Sequence, residues 1–378
     1  MINHSLFICF PLFIFTFNSN YVNPKAMIKK IVFLCLLILC SCSKDTTSQT
    51  QDVFIKGADM SFLPLIESNG TQYYNANDEV EDALVTLKKS GCNTVRIRVW
   101  KNSPNSLSTF SEVKLFAQRV RNLGLKVWIC IHYSDTWADP GAQTIPAEWA
   151  NLSFSELKVA VSNYTSTIAS EIKPDIIQIG NEVNNGFMWP KADLVTHENE
   201  FLELLNGASS AIKVASPETK IMIHYAGIGS DAEQFYTKMT SVNYDYIGLS
   251  YYPIWHGKNL EEVKTTINTL GQAFNKKVII AETSYPFTLG FDDWTNNVLG
   301  TIEQIIPSFS ATPAGQKSYL LALKNKIKET QYGFGFCYWG TEWLAFRGNQ
   351  STNGSSWENQ ALWNFDNVAL PGMDVFKE

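Results

Sequence analysis

From residue 52 onward, short β-branched or aromatic runs alternate with longer stretches of helical period. The strand candidates are 53-VFIKGAD-59, 93-NTVRIRVW-100, 125-LKVWICIH-132, 176-IIQIGNE-182, 220-KIMIHYA-226, 245-DYIGLSYY-252, 277-KVIIAET-283 and 333-GFGFCYW-339. Between them lie amphipathic patterns. Residues 78–91 place Val80, Ala83, Leu84 and Leu87 on one face and close on Gly91. Residues 111–124 do the same with Val113, Phe116, Ala117 and Val120, closing on Gly124. Each pattern predicts a helix. Eightfold strand–helix alternation predicts a parallel sheet with helices outside it. Eight units over roughly 300 residues suit a single closed (β/α)8 TIM barrel spanning 52–378. A doubly wound open sheet is the alternative, but the Gly-rich phosphate turn usual in that class follows none of the early strands.

The ends of these runs carry the chemistry. A barrel gathers the C-terminal ends of its strands at one mouth. The fourth run, otherwise free of charge, ends in Asn181-Glu182, and the seventh ends in Glu282. In a closed ring those two glutamates share a mouth. Two carboxylates flanking one space are what glycoside hydrolysis requires: one protonates the leaving oxygen, the other attacks or activates water. Their affinities for the proton must be pushed apart. The first run ends in Asp59. In the second, Arg96, Arg98 and Trp100 share a face, opposite Val95, Ile97 and Val99. An arginine inside a barrel needs a carboxylate partner, which either Arg96 or Arg98 would require. The third run ends in His132 and continues into 134-SDTWADP-140, which holds Asp135 and Trp137. The fifth is read as ending in His224, the sixth pairs Ser250 with Tyr252 in parity, and the eighth ends in Trp339. Asp59, Arg96, His132, Asp135, Trp137, Asn181, His224, Tyr252 and Trp339 are the expected substrate-binding residues. Interior histidines satisfied by their neighbours are the alternative for His132 and His224, and turn-capping is the alternative for the aspartates. Of Trp137, Trp189, Trp339, Trp343 and Trp363, two or three are expected to line the groove, since flat rings match the C–H faces of sugars, and the rest to pack.

Composition narrows the partner. The 378 residues are 45% apolar and 17% charged, with a formal charge of −6 and no basic cluster in the body of the chain. That disfavours nucleic acid and is compatible with a neutral substrate. Cys92, Cys130 and Cys337 are the body cysteines; without paired spacing they give neither a disulfide framework nor a zinc motif, and they read as small buried hydrophobes.

The N-terminus reads as processing signal. Residues 1–26 precede a second Met27 and are expected to be an upstream extension outside the fold. Residues 27–42, MIKKIVFLCLLILCSC, have a basic start, a short apolar run and a small-residue exit. Their end, 39-LCSC-42, resembles the lipobox of bacterial lipoproteins, with Cys42 as the lipid-bearing residue, and Ser43-Lys44-Asp45 resembles a surface-export signal. An ordinary secretory signal cleaved after Ser41 or later is the alternative. Residues 43–51 form a polar tether. The expectation is an exported monomer, lipid-anchored at the bacterial outer membrane and otherwise secreted or periplasmic, with no other membrane contact.

At these residues the sequence resembles a known family. The stretches 57-GADMS-61, 96-RIRVW-100, 132-HYSDTWADP-140, 180-GNEVNNGFMWP-190, 249-LSYYP-253, 281-AETSYP-286, 338-YWGTEW-343 and 356-SWENQALWNFDNVALP-371 are similar to glycoside hydrolase family 53, the endo-β-1,4-galactanases of clan A. The resemblance implies a retaining mechanism on the neutral galactan side chains of pectin. Glu182 would be the acid/base and Glu282 the nucleophile. Asn181 would hold a sugar 2-hydroxyl, Arg96, the more interior of the two arginines, would pair with a carboxylate, Tyr252 would position the nucleophile, and Trp339 would form the floor. Ser250-x-Tyr252 stands where the clan usually has His-x-Tyr. No cofactor is required. Some bacterial members hold a structural calcium after strand seven, where Asp292, Asp293 and Asn296 are oxygen donors here; solvated polar residues are the alternative. Other clan A activities, such as β-mannanase or endoglucanase, and a non-catalytic sugar-binding lipoprotein are the rival readings.

Overall fold

The computed structural model describes residues 53–103 and 107–377. The leader, Cys42 and the tether lie outside these residues. Eight parallel strands close into a barrel in chain order: β1 (Ile55–Asp59), β2 (Thr94–Val99), β3 (Lys126–Ile131), β4 (Ile176–Ile179), β5 (Lys220–Ala226), β6 (Tyr246–Ser250), β7 (Lys277–Thr283) and β8 (Gly333–Tyr338), with β8 returning to β1. Each strand lies within the run that predicted it. Among the described residues no helix is long and apolar enough to cross a membrane.

Helices α1 (Ala83–Lys89), α2 (Phe110–Asn122), α3 (Phe154–Ile172), α4 (Glu198–Ala215), α5 (Ser230–Lys238), α6 (Leu260–Phe274) and α7 (Pro313–Lys328) wrap the ring. Local chemistry sets their starts. Thr109 caps α2 by accepting from the Glu112 N–H, and Ser153 and Glu156 form a reciprocal capping box on α3. The helix expected over 78–91 begins five residues later. Asp78 adopts a left-handed backbone, Val80 is exposed, and Asp82 caps α1 through the Leu84 and Val85 N–H groups. The apolar period thus ran past the real cap. The eighth helix position is taken by a 3-10 segment, Pro371–Phe376, whose Phe376 ring stacks on Phe336 at 5.9 Å.

The barrel interior divides in two. Ile55, Trp128, Ile176, Met222, Tyr246, Ile279, Ala281 and Cys337 form a buried apolar plug, separate from the core between strands and helices. Cys92, Cys130 and Cys337 are free and buried. Above the plug the interior turns polar, with Asp59, Arg96, Gln178, His224, Ser250 and Glu282 all buried.

Two departures from regular strand geometry aim the glutamates. Strand β4 stops at Ile179, not at Glu182. Gly180 follows at φ 78°, where an added Cβ would lie 2.4 Å from the Val183 side chain, and Glu182 itself sits at φ 48°. Such a non-glycine conformation costs roughly 1–3 kcal/mol and persists only where its surroundings enforce it. On β7, Leu249 pairs with Ile280 but Ser250 pairs with Glu282, so one extra residue is inserted. Simple alternation from Ile279 and Ala281, both in the plug, would turn Glu282 outward; the bulge turns it into the mouth.

Candidate active site

Arg96 sits at the centre of the site, bonded to side chains from β1, β4 and β7. Its Nη1 lies 2.7 Å from Asp59 Oδ2 and its Nη2 lies 2.7 Å from Glu282 Oε1. Nε donates to Gln178 Oε1 at 3.1 Å, and Nη2 also donates to Asn181 Oδ1 at 2.8 Å. One guanidinium therefore ties together the ends of β1, β2, β4 and β7. The second oxygen of Glu282 accepts from the Tyr252 hydroxyl at 2.9 Å. Burial and the Glu282 charge hold the Tyr252 phenol well above its ordinary range, so it remains a donor.

Glu182 is held differently. Its Oε1 accepts from the Ser250 hydroxyl, and no cation is bonded to it. A carboxylate oxygen of Glu182 and one of Glu282 lie within 4.8 Å of each other. Burial, reinforced by the Glu282 charge, pushes the Glu182 carboxyl up to about 8. Burial also raises Glu282, but there the Arg96 guanidinium and the Tyr252 hydroxyl oppose it. The negative charge of the pair therefore resides on Glu282, and the proton on Glu182. Such an arrangement can deliver a proton from one side of a bond and a nucleophile from the other.

The cleft over this pair has a volume of about 570 Å³, within the range of ligand sites. It is lined by Asp59, Arg96, His132, Trp137, Asn181, Glu182, Tyr252, Glu282 and Trp339, together with Arg98, Asp139, Trp255, Trp343 and Trp357 among others. His132 accepts at Nδ1 from the Trp100 indole and the Ala138 N–H, and burial keeps it neutral, so its proton is on Nε2. Arg98 lies against the rings of Phe62, Trp100 and Trp137, with its guanidinium carbon 4.6, 4.4 and 4.2 Å from their centroids; it props Trp137 from below.

Two expected sugar contacts are corrected. Asp135 does not line the cleft: it accepts from the Asn102 and Ala147 N–H groups and pins the loop, while Asp139 of the same motif reaches the cleft. His224 is fully buried beneath the surface of the cleft and bonds to protein groups. Of the five tryptophans considered, Trp137, Trp339 and Trp343 line the groove. Trp363 is wholly buried against Tyr73, and Trp189 donates to Asn185 O away from the cleft. Trp255 and Trp357 were missed. Their rings lie 6.1 Å apart, and Trp357 meets Trp339 edge-on at 4.7 Å, so the aromatic surface continues outward from the floor. Trp255 lies two residues beyond the SYYP motif, which was the available signal.

The structural calcium expected at Asp292, Asp293 and Asn296 does not fit as a set. Asn296 is exposed. Asp293 Oδ2, Asn297 Oδ1 and Glu358 Oε2 are buried without hydrogen-bond partners, which is donor chemistry a hard cation takes. Among the described residues, however, the one place where three acidic or histidine side chains converge is Glu182, His224 and Glu282, and both His224 nitrogens are already engaged.

A closed (β/α)8 barrel presenting one protonated and one charge-paired glutamate from the ends of β4 and β7 defines a glycoside hydrolase, which needs no cofactor. The chain belongs to glycosyl hydrolase family 53, whose model matches residues 55–376. It is 33% identical to the arabinogalactan endo-beta-1,4-galactanase of Cellvibrio japonicus (strain Ueda107), over 92% of this chain and 97% of that one. Among solved structures, the Ignisphaera aggregans GH53 catalytic domain superposes with a TM-score of 0.80 at 35% identity, covering 86% of this chain and 95% of that one. A structure of fungal beta-1,4-galactanases gives 0.75 at 27% identity, covering 86% and 99%.

Proposed function

We propose that this enzyme cleaves internal β-1,4-galactosidic bonds of galactan, the side chains of type I arabinogalactan in pectin, with net retention. The observation that carries the mechanism is the approach of the two carboxylates to within 4.8 Å. That spacing is short for an inverting pair, which must leave room for a water, and suits direct attack by one of them. Glu282, ionised and held by Arg96 and Tyr252, attacks the anomeric carbon. Glu182 gives its proton to the departing glycosidic oxygen. In the second half, Glu182 takes a proton from water as that water displaces Glu282 from the same carbon. Asn181 is oriented for the sugar 2-hydroxyl: Arg96 fixes its Oδ1, and its Nδ2 spends one hydrogen on Ala138 O at 2.9 Å, leaving one free. Trp339 supplies the floor. The galactan specificity is supported by the names of the relatives and by the uncharged polymer that a −6 chain with an aromatic cleft accommodates.

Time-resolved product analysis on linear galactan, with mannan and glucan as competitors and NMR of the first-formed anomer, tests this reading. Galactan should be cut at internal bonds, with products appearing first as the β-anomer. An α-anomer would overturn retention, and preferred cleavage of mannan or glucan would overturn the substrate. For the N-terminus we infer lipidation at Cys42 and display at the outer membrane, on the strength of Lys29, Lys30, the apolar run and 39-LCSC-42. Mass spectrometry of the mature N-terminus should find a diacylated or triacylated Cys42; an unmodified N-terminus would overturn the anchor.

A further inference from the structure

Strands β5 and β6 carry a chain of hydrogen bonds whose direction is fixed by the groups at its far end. His224 Nδ1 faces two donors, the Gln178 side-chain amide at 2.9 Å and the Glu182 backbone N–H at 3.3 Å, and one acceptor, Asn181 Oδ1 at 3.2 Å, which already accepts from Arg96 Nη2 and Gln178 Nε2. The backbone N–H can only donate, so Nδ1 is the accepting nitrogen. A ring nitrogen that accepts cannot carry the proton, and burial beside Arg96 holds the ring neutral. The single ring proton is therefore on Nε2, 2.9 Å from Ser250 Oγ. Ser250 accepts there, and its own proton points to Glu182 Oε1. With Oε1 occupied as an acceptor, any proton that Glu182 holds must sit on Oε2.

We propose that His224 and Ser250 form a fixed relay that confines the transferable proton of Glu182 to Oε2 and stabilises the carboxylate once that proton has left. The inference rests on Glu182 being the acid/base. Neither residue touches the sugar; both are positioning residues acting through Glu182. A neutral hydroxyl is polarised when its oxygen accepts from an imidazole N–H, so the bond it donates strengthens as the carboxyl ionises. The other groups that face Glu182 are Arg96 from β2, Asp139 from the loop after β3, Tyr252 beyond β6 and Glu282 from β7; His256 lies nearer His224. Of these only Arg96 favours the ionised form. The Ser250 hydroxyl is thus one of two groups that counter burial and the repulsion from Glu282 and Asp139.

The test is the alkaline limb of the kcat/KM profile on a soluble galacto-oligosaccharide. Removing a donor to a buried carboxylate in Ser250→Ala should move that limb upward by about one pH unit, and Ser250→Thr, which restores the hydroxyl, should bring it back. His224→Gln should move it in the same direction by less. A Ser250→Ala enzyme that loses activity with its limb unmoved has lost only structure, and the proposal fails. If Ser250→Ala does not fold, Ser250→Cys keeps the volume with a weaker donor; an unmoved limb there is equally fatal. Failure of the underlying role would look different: Glu182→Gln would keep near-native activity.

Discussion

Arg96 and Glu282 form an ion pair with a nitrogen–oxygen distance of 2.7 Å, both side chains almost wholly buried. The same guanidinium holds Asp59 at 2.7 Å, so one cation balances two carboxylates away from water. Replacing Arg96 by Leu strands both charges. Stability should fall by about 3–5 kcal/mol, the usual cost of breaking a buried pair from one side. Glu282 would then keep its proton to higher pH, and the acidic limb of kcat/KM should move up. Denaturant titration and a pH–rate profile read the two effects; a limb that stays in place would show that Arg96 does not set the charge on Glu282.

Glu182 must be protonated to act as an acid, and burial together with Glu282 raises it to about 8. Activity should therefore hold through neutrality and fall as pH rises through about 8. The limbs report the coupled pair and not either residue alone. In Glu182→Gln the rate on galactan should drop by about 10²–10⁴-fold, the usual contribution of a positioned proton donor. An aryl galactoside whose leaving group needs no proton should lose far less in its first step. Equal losses on both substrates would remove Glu182 from that role. Glu282→Gln, by contrast, should abolish turnover on both while galactan still binds on affinity gels.

Much of this was written in the chain, and the exceptions have physical causes. The strands were legible because β-branched runs between Gly, Asn and Asp are hard to read otherwise. The two glutamates were legible because charge at the end of an apolar run is costly unless it is used. The start of α1 was misread because Val80 continues the apolar period by chance, and only the Asp82 cap marks where the backbone turns. The bulge that aims Glu282 leaves no local signature, since it exists only as a register difference between β7 and its two neighbours, β6 and β8. Asp135 and Asp139 are alike in sequence and differ only in which way the loop folds. His224 looked like a sugar contact because its strand-end position was visible, while the groups that occupy both its nitrogens come from β4 and β6.

Glu342 offers a test of the fold independent of catalysis. It is fully buried, accepts the Phe62 N–H on one oxygen at 2.6 Å, and leaves the other without a partner. Burial, with help from the Asp59 charge, raises its carboxyl from 4.5 to about 8. Between those values the folded protein holds a proton that the unfolded chain releases, so stability should fall as pH rises from about 4.5 to about 8. The slope from this one group is up to about 1.4 kcal/mol per pH unit. Glu342→Gln keeps an acceptor for Phe62 and removes the titration. Its melting temperature should decline less steeply across that window than the parent's, and parallel curves would mean that Glu342 is ionised in the fold.

The aromatic surface predicts how the enzyme handles length. Trp339 lies at the floor, Trp357 meets it edge-on, and Trp255 stands beyond, 53% exposed although it lines the cleft. An indole held half in water beside a groove has given up apolar burial, and a sugar ring laid on it recovers that area. Trp255 packs edge-on against Tyr252 at 5.2 Å, and as an exposed outer ring it is placed to meet substrates that extend past the cleavage point. Trp255→Ala should therefore raise KM for galactan by about tenfold, the equivalent of roughly 1.4 kcal/mol, and leave an aryl galactoside nearly unaffected. With Trp339 as the proposed floor, Trp339→Ala should depress kcat on both. If Trp255→Ala impairs the short and the long substrate alike, the outer ring supports the site's structure and is not a landing place for the polymer.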